Sequence, residues 1–113
     1  MALDLFAGIP VTDLVRAQAW YEQLLGFPPA FRPNDTEAVW ELAEHRYLYI
    51  DLKPEHAGHA EHTLFLGDFD ARLSGAASRG LTPATTETYD NGVRKATFKD
   101  PDGNEIGFGG APV

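Results

Sequence analysis

Cysteine is absent from all 113 residues. That excludes disulfide staples, thiolate nucleophiles and cysteine-ligated zinc or iron–sulfur centres, and it fits a reducing compartment. Long hydrophobic runs are missing as well: no stretch approaches the roughly 20 apolar residues of a membrane helix. Met1 is followed by Ala2, Leu3 and Asp4, with no basic segment leading into an apolar run. No secretory signal is therefore expected, and the expected location is cytoplasmic. Basic side chains are scarce, 9 Lys and Arg against 17 Asp and Glu, for a formal charge of −8. Nucleic acid is a poor partner for such a chain, because phosphate contacts require clustered Lys and Arg. A cationic small molecule would be drawn in by the same field, which otherwise simply serves solubility. No glycine-rich strand-to-helix loop is present to cradle a phosphate.

What is present is a pattern that occurs twice. At this length the chain reads as one domain, 1–113, and its apolar fraction of 43% supplies an ordinary core. In the first half, 3–53, Leu5, Ala7, Ile9 and Val11 alternate with Asp4, Phe6, Gly8 and Pro10, which predicts a strand with two different faces. Thr12 and Asp13 are both suitable caps for a following helix whose stripe is Leu14, Ala17, Tyr21, Leu24 and Leu25. Gly26 ends that helix and Pro28–Pro29 keeps it from resuming. Three extended segments follow, near 29–34, 37–43 and 46–53. In the last, Leu48, Ile50 and Leu52 share one face while Tyr47, Tyr49 and Asp51 share the other.

Residues 54–60 read as a linker punctuated by Pro and Gly. The second half, 60–110, opens with a strand from His62 and continues into a helix capped by Asp68 or Asp70, with a stripe of Phe69, Leu73, Ala76 and Ala77. Thr86–Tyr89 and Val93–Lys99 flank Asp90-Asn91-Gly92, a strong hairpin signal because Asn-Gly tolerates positive φ. Asp100-Pro101-Asp102-Gly103 makes a second turn, and Asn104–Gly109 the final strand. The expected fold is α+β: two βαβββ modules forming curved mixed sheets around a cleft, each sheet covered by a helix on its outer face. The cleft can be closed within one chain or between two.

Three stretches carry a family resemblance: Ile9-Pro10-Val11-Thr12-Asp13, the helix end Trp20-Tyr21-Glu22-Gln23-Leu24-Leu25-Gly26-Phe27, and Phe98-Lys99-Asp100-Pro101-Asp102-Gly103-Asn104. In this order and spacing the chain resembles the vicinal oxygen chelate superfamily of glyoxalases, ring-cleaving dioxygenases and bleomycin-resistance proteins. The resemblance covers nearly the whole chain. It implies metal ligands on the inner strands, and counting from Asp13, the fifth strand and Asp100 brings those positions to Phe6, His62 and Gly107. A single His among them does not hold a labile divalent ion, because catalytic sites need about three protein ligands. No cofactor is therefore expected. The resemblance to the bleomycin-resistance branch further implies a homodimer with cavities between its subunits.

The candidate ligand-binding residues are Phe6, Tyr47, Tyr49, Asp51, His62 and Glu105, joined by Trp40 if its strand turns even-numbered residues inward. Aromatic faces stack planar ligands and attract cations, and the carboxylates favour positive charge. His62 and Glu105 are also the candidate acid–base groups. The spaced series His56, His59 and His62 lies in a loop rather than on a helix, so it reads as a solvated linker. The expected function is sequestration of a small planar or cationic molecule, of which the bleomycin type of antibiotic is the nearest named example. The alternatives are a metal-dependent lyase or dioxygenase using His62, and a metal-free isomerase or hydrolase with His62 as base.

Overall fold

A computed structural model describes residues 3–113. Its elements in chain order are β1 (Leu5–Val11), α1 (Leu14–Leu25), β2 (Glu37–Ala43), β3 (Arg46–Leu52), β4 (Glu61–Phe65), α2 (Phe69–Ser78), β5 (Thr85–Thr88), β6 (Arg94–Lys99) and β7 (Glu105–Gly110). A single turn of 3-10 helix, Pro54–His56, lies in the expected linker. Two sheets result, ordered β1-β3-β2 and β4-β7-β6-β5. In both, the first strand runs parallel to the last strand of its module, and the other pairings are antiparallel.

The first sheet has three strands where four were expected, because 29–34 does not form one. That segment touches the sheet through a single bridge between Phe31 and Val39. Pro28, Pro29 and Pro33 lack the N–H groups that a ladder needs, so pairing stops at Ala30 and Phe31.

Local chemistry fixes the helix ends. Asp13 caps α1 by accepting the Arg16 N–H at 3.1 Å, and Gly26 closes it at φ 90°, where a side chain would be strained. At α2, Asp68 occupies the cap position but turns its carboxylate to Arg72 at 3.0 Å. Arg72 holds the Asp68 carboxyl below the usual carboxylate range by that hydrogen bond. Ala77, expected on the α2 stripe, is exposed, so the helix buries only Phe69 and Ala76, with Leu73 packed beside them.

One contiguous core lies between the helices and the two sheets. Ile9, Val11, Leu48 and Ile50 meet Ala17, Tyr21, Leu24 and Leu25 in the first half, and Ala96, Phe98, Ile106 and Phe108 meet Phe69 and Ala76 in the second. Trp40 belongs here too. It is fully buried, lies 6.0 Å from the Tyr21 ring and donates its indole N–H to the Phe27 carbonyl at 2.9 Å. The expectation that Trp40 lines a cleft is corrected: on β2 the even-numbered residues face the helices.

Polar side chains join the two halves. Tyr21 donates to Asp100 Oδ2 at 2.8 Å, and Thr12 donates its hydroxyl and its N–H to Asp102. Asn104, completely buried, donates to Pro10 O and Asp100 and accepts from the Gly58 and Ala60 amides. The three stretches that carried the family resemblance thus meet at one buried junction. α1 and α2 touch near their C-terminal ends, where Arg79 donates to the Gln23 and Leu24 carbonyls. Both helices therefore lie on the same side of the molecule, leaving the opposite faces of both sheets free of helix. No helix among the described residues is long and apolar enough to cross a membrane.

Candidate functional site

On β1 and β3 the residues between core positions point away from the helices. Register sets them side by side: Phe6 opposite Tyr47, Gly8 opposite Tyr49, Pro10 opposite Asp51. Phe6 and Tyr47 stack with centroids 4.5 Å apart and planes 9° from parallel. Phe31 meets Tyr47 edge-on at 6.5 Å. The Tyr49 ring lies across Gly8, where an added Cβ would sit 2.6 Å from its phenol end, so the glycine is what lets the ring lie flat. Phe6 and Phe31 are each about half exposed, at 48% and 46%. Rings held this way offer apolar surface already ordered for a planar guest.

Acidic groups border the rings. Glu41 lies directly across the ladder from Tyr47, and its carboxylate raises the phenol above its ordinary range by hydrogen bonding. Asp51 pairs with Lys53 at 3.3 Å and faces Glu37 across the β2–β3 ladder.

His62 does not join this face. Leu64 and Leu66 of the same register pack on the core, and His62 stands opposite the buried Ile106. Its Nε2 lies 3.0 Å from Gly8 O, so it donates to that carbonyl and bridges the free edges of β1 and β4. The expected cleft position of His62 is thereby corrected by one residue: the helix-free position opening β4 is Glu61. Alternating Leu64 and Leu66 carried that signal in the sequence. Glu105 does lie on the helix-free face, opposite Glu61. Gly107 follows on the same face, under the Lys95 stem and Thr63.

These residues do not fit a resident divalent metal. Phe6 and Gly107 carry no donor side chain, and His62 has its Nε2 proton committed to a carbonyl. Among the described residues no three His, Asp or Glu side chains lie close enough to share one ion. His56, His59 and His62 do not converge: the first two lie in and after the 3-10 turn, the third in β4.

Two cavities open away from the rings. One, about 340 Å³, lies at the start of α2 between Phe65, Phe69, Arg94 and Pro112. The other, about 220 Å³, is lined by Gly58, His59, Ala60, Glu61, Gly103 and Glu105. The aromatic face is not one of these two. It is an open sheet surface in the single chain.

A profile of the family described as Glyoxalase/Bleomycin resistance protein/Dioxygenase superfamily matches residues 3–108. Among solved structures, a glyoxalase/bleomycin resistance protein from Catenulispora acidiphila DSM 44928 is 58% identical, with a TM-score of 0.95 over 98% of this chain and 100% of that one. An antibiotic binding protein from Streptomyces sp. CB03234 is 26% identical, with a TM-score of 0.73 over 98% and 97%. A bleomycin-binding protein solved with bleomycin bound shares the fold at 20% identity, with a TM-score of 0.78 over 96% and 98%. No curated protein matches.

Proposed function

The chain belongs to the glyoxalase/bleomycin resistance protein/dioxygenase superfamily, and from that premise we propose that it is a metal-free binding protein that sequesters a small planar, cationic molecule. The observation that carries this reading is the ordered ring surface of Phe6, Tyr47 and Phe31 with Tyr49 beside it, in which Phe6 stands at one of the three positions where the family resemblance implies a metal ligand. Binding is stoichiometric. Ring stacking and apolar burial hold the guest, and the excess of carboxylates steers a cation toward it. Antibiotics of the bleomycin type fit this chemistry, and fold relatives that bind bleomycin or other antibiotics support the choice. The working unit is a cytoplasmic homodimer, in which a second copy covers the open ring face and excludes water from it.

A lyase or dioxygenase reading lacks its ligand set. A metal-free isomerase or hydrolase reading loses His62 as its base, because that ring is turned to the Gly8 carbonyl, and is left with Glu105 alone.

Calorimetric titration with 9-aminoacridine and with bleomycin tests the proposal, on protein whose metal content is measured beforehand. Saturable binding without stoichiometric transition metal is the expected result, weakened at least about tenfold by Phe6→Ala or Tyr47→Ala. Intrinsic fluorescence is a poor readout, since Trp40 is in the core and Trp20 packs against Tyr21 at 4.8 Å. A stoichiometric metal bound through His62, or flat titrations accompanied by turnover, overturns the reading.

A further inference from the structure

The second sheet has a helix-free face of its own, and an inner strand, β7, puts two glycines on it. Ala96, Phe98, Ile106 and Phe108 point into the core, so Lys95, Thr97, Gly107 and Gly109 between them face the other way. Register places Thr63 of β4 and Thr97 of β6 on either side of Gly107. Their backbones stand about 10 Å apart, two strand spacings, with no β7 side chain between them. Lys95 lies in the resulting slot: a Cβ added to Gly107 would sit 2.8 Å from its Cε and 3.2 Å from Thr63 Oγ1. The exposed Phe65 ring closes one end over Gly109, where an added Cβ would meet it at 3.1 Å and the Thr63 methyl at 3.7 Å.

The donors in this slot have no partner among the described residues. Thr97 is only 8% exposed, yet its hydroxyl makes no hydrogen bond within the protein. Gln18 Oε1 is the one fully sealed side-chain polar atom without a partner among the described residues, so the Thr97 hydroxyl keeps an opening to solvent. Lys95 is half-buried and has no carboxylate within 4.0 Å, although Glu87 is its ladder partner on β5. A desolvated ammonium and a nearly buried hydroxyl, both unpaired, call for an acceptor from outside the chain.

We propose that this slot is a second binding site, for a small aromatic monocarboxylate. The Lys95 ammonium and the Thr63 and Thr97 hydroxyls donate to the carboxylate oxygens, and the aromatic part rests on Phe65. Glu105, two residues from Gly107 and about 7 Å along the strand, repels a second carboxylate, so dicarboxylates are refused. The formal charge of −8 opposes an anion at long range, but physiological salt screens that field beyond about 8 Å, and the contact donors decide the outcome. The site shares no residue with the ring face and does not rest on the sequestration reading.

The test titrates phenylacetate and its neutral analogue 2-phenylethanol into wild type, Lys95→Met, Thr97→Val and Phe6→Ala by calorimetry, with amide-resolved NMR on wild type. Wild type should bind phenylacetate saturably and prefer it over the alcohol by at least about tenfold, with shifts centred on Thr63, Lys95, Thr97 and Gly107. Lys95→Met keeps the stem and should remove most of the preference. Thr97→Val should weaken phenylacetate at least about threefold without lowering the melting temperature, because no hydrogen bond inside the protein is lost. Phe6→Ala should leave phenylacetate binding unchanged. Absence of saturable binding to wild type, a preference that survives Lys95→Met, or shifts centred elsewhere overturns the inference. Loss of phenylacetate binding in Phe6→Ala assigns that ligand to the ring face and also overturns it. A lower melting temperature in Thr97→Val with unchanged affinity gives Thr97 a structural role, with the same consequence.

Discussion

Asp100 does more for this fold than any residue singled out for function. Its buried carboxylate accepts from the Asp102 and Asn104 amides, the Tyr21 hydroxyl and the Asn104 side chain. Replacing it with Ala strips four donors at once, and the expected loss is about 3 kcal/mol, read from the urea midpoint. A loss below about 1 kcal/mol would show that the junction is incidental. Tyr21 adds a pH dependence. Burial, with the Asp100 charge second, raises its phenol far above the ordinary 10.0. A raised folded pKa stabilises the protein below the unfolded value and loses that contribution as pH rises past it. Above about pH 10 the unfolded chain releases a proton that the native state keeps, so stability should fall by up to about 1.4 kcal/mol per pH unit. Tyr21→Phe should flatten that limb when urea midpoints are compared across it. At this scale the sequence was legible where alternation was clean. Leu48, Ile50 and Leu52 placed Tyr47 and Tyr49 on the correct face, with Leu52 at the strand end remaining partly exposed. Trp40 was not legible, because Ala38, Val39 and Trp40 are all buried and their run has no period.

Elements depend on where side chains are missing. Phe69 of α2 lies flat on Gly110 of β7, where an added Cβ would come within 2.5 Å of the ring. Gly110→Ala must shift the helix or the ring in a packed core, at an expected cost of about 1–3 kcal/mol by thermal or urea unfolding. Gly8→Ala has the opposite signature. Its Cβ meets only the free end of Tyr49, which can swing away, so stability should change by less than about 1 kcal/mol. Ligand affinity should nevertheless fall at least about threefold, because the ring no longer lies flat. Equal affinity in calorimetry would remove Tyr49 from the site. Both helices and all seven strands stood out in the sequence through period and cap, with β4 and β5 read as starting one residue late and β6 and β7 one residue early. The segment at 29–34 was read as a strand because extended residues flank its prolines. Three prolines in six positions argued against that, since a ladder needs donors.

At the scale of the whole molecule, the family resemblance, the duplication and the acidic balance were all legible, because motifs at fixed separations reflect a junction that must close. How the two sheets meet was not. The seam is made by side chains, His62 to Gly8 and Asn104 to Pro10, which no period announces. With a formal charge of −8, capture of a cation should weaken as salt rises, and binding of a neutral analogue should not. The account turns on one claim, that the helix-free ring surface receives a planar cation without a metal. An amide-resolved NMR titration with 9-aminoacridine in the presence of chelator tests it most directly. Saturable shifts centred on Phe6, Gly8, Tyr47 and Tyr49 are predicted. Shifts centred instead on Phe65, Phe69 and Arg94, or binding that vanishes with the chelator, would contradict it.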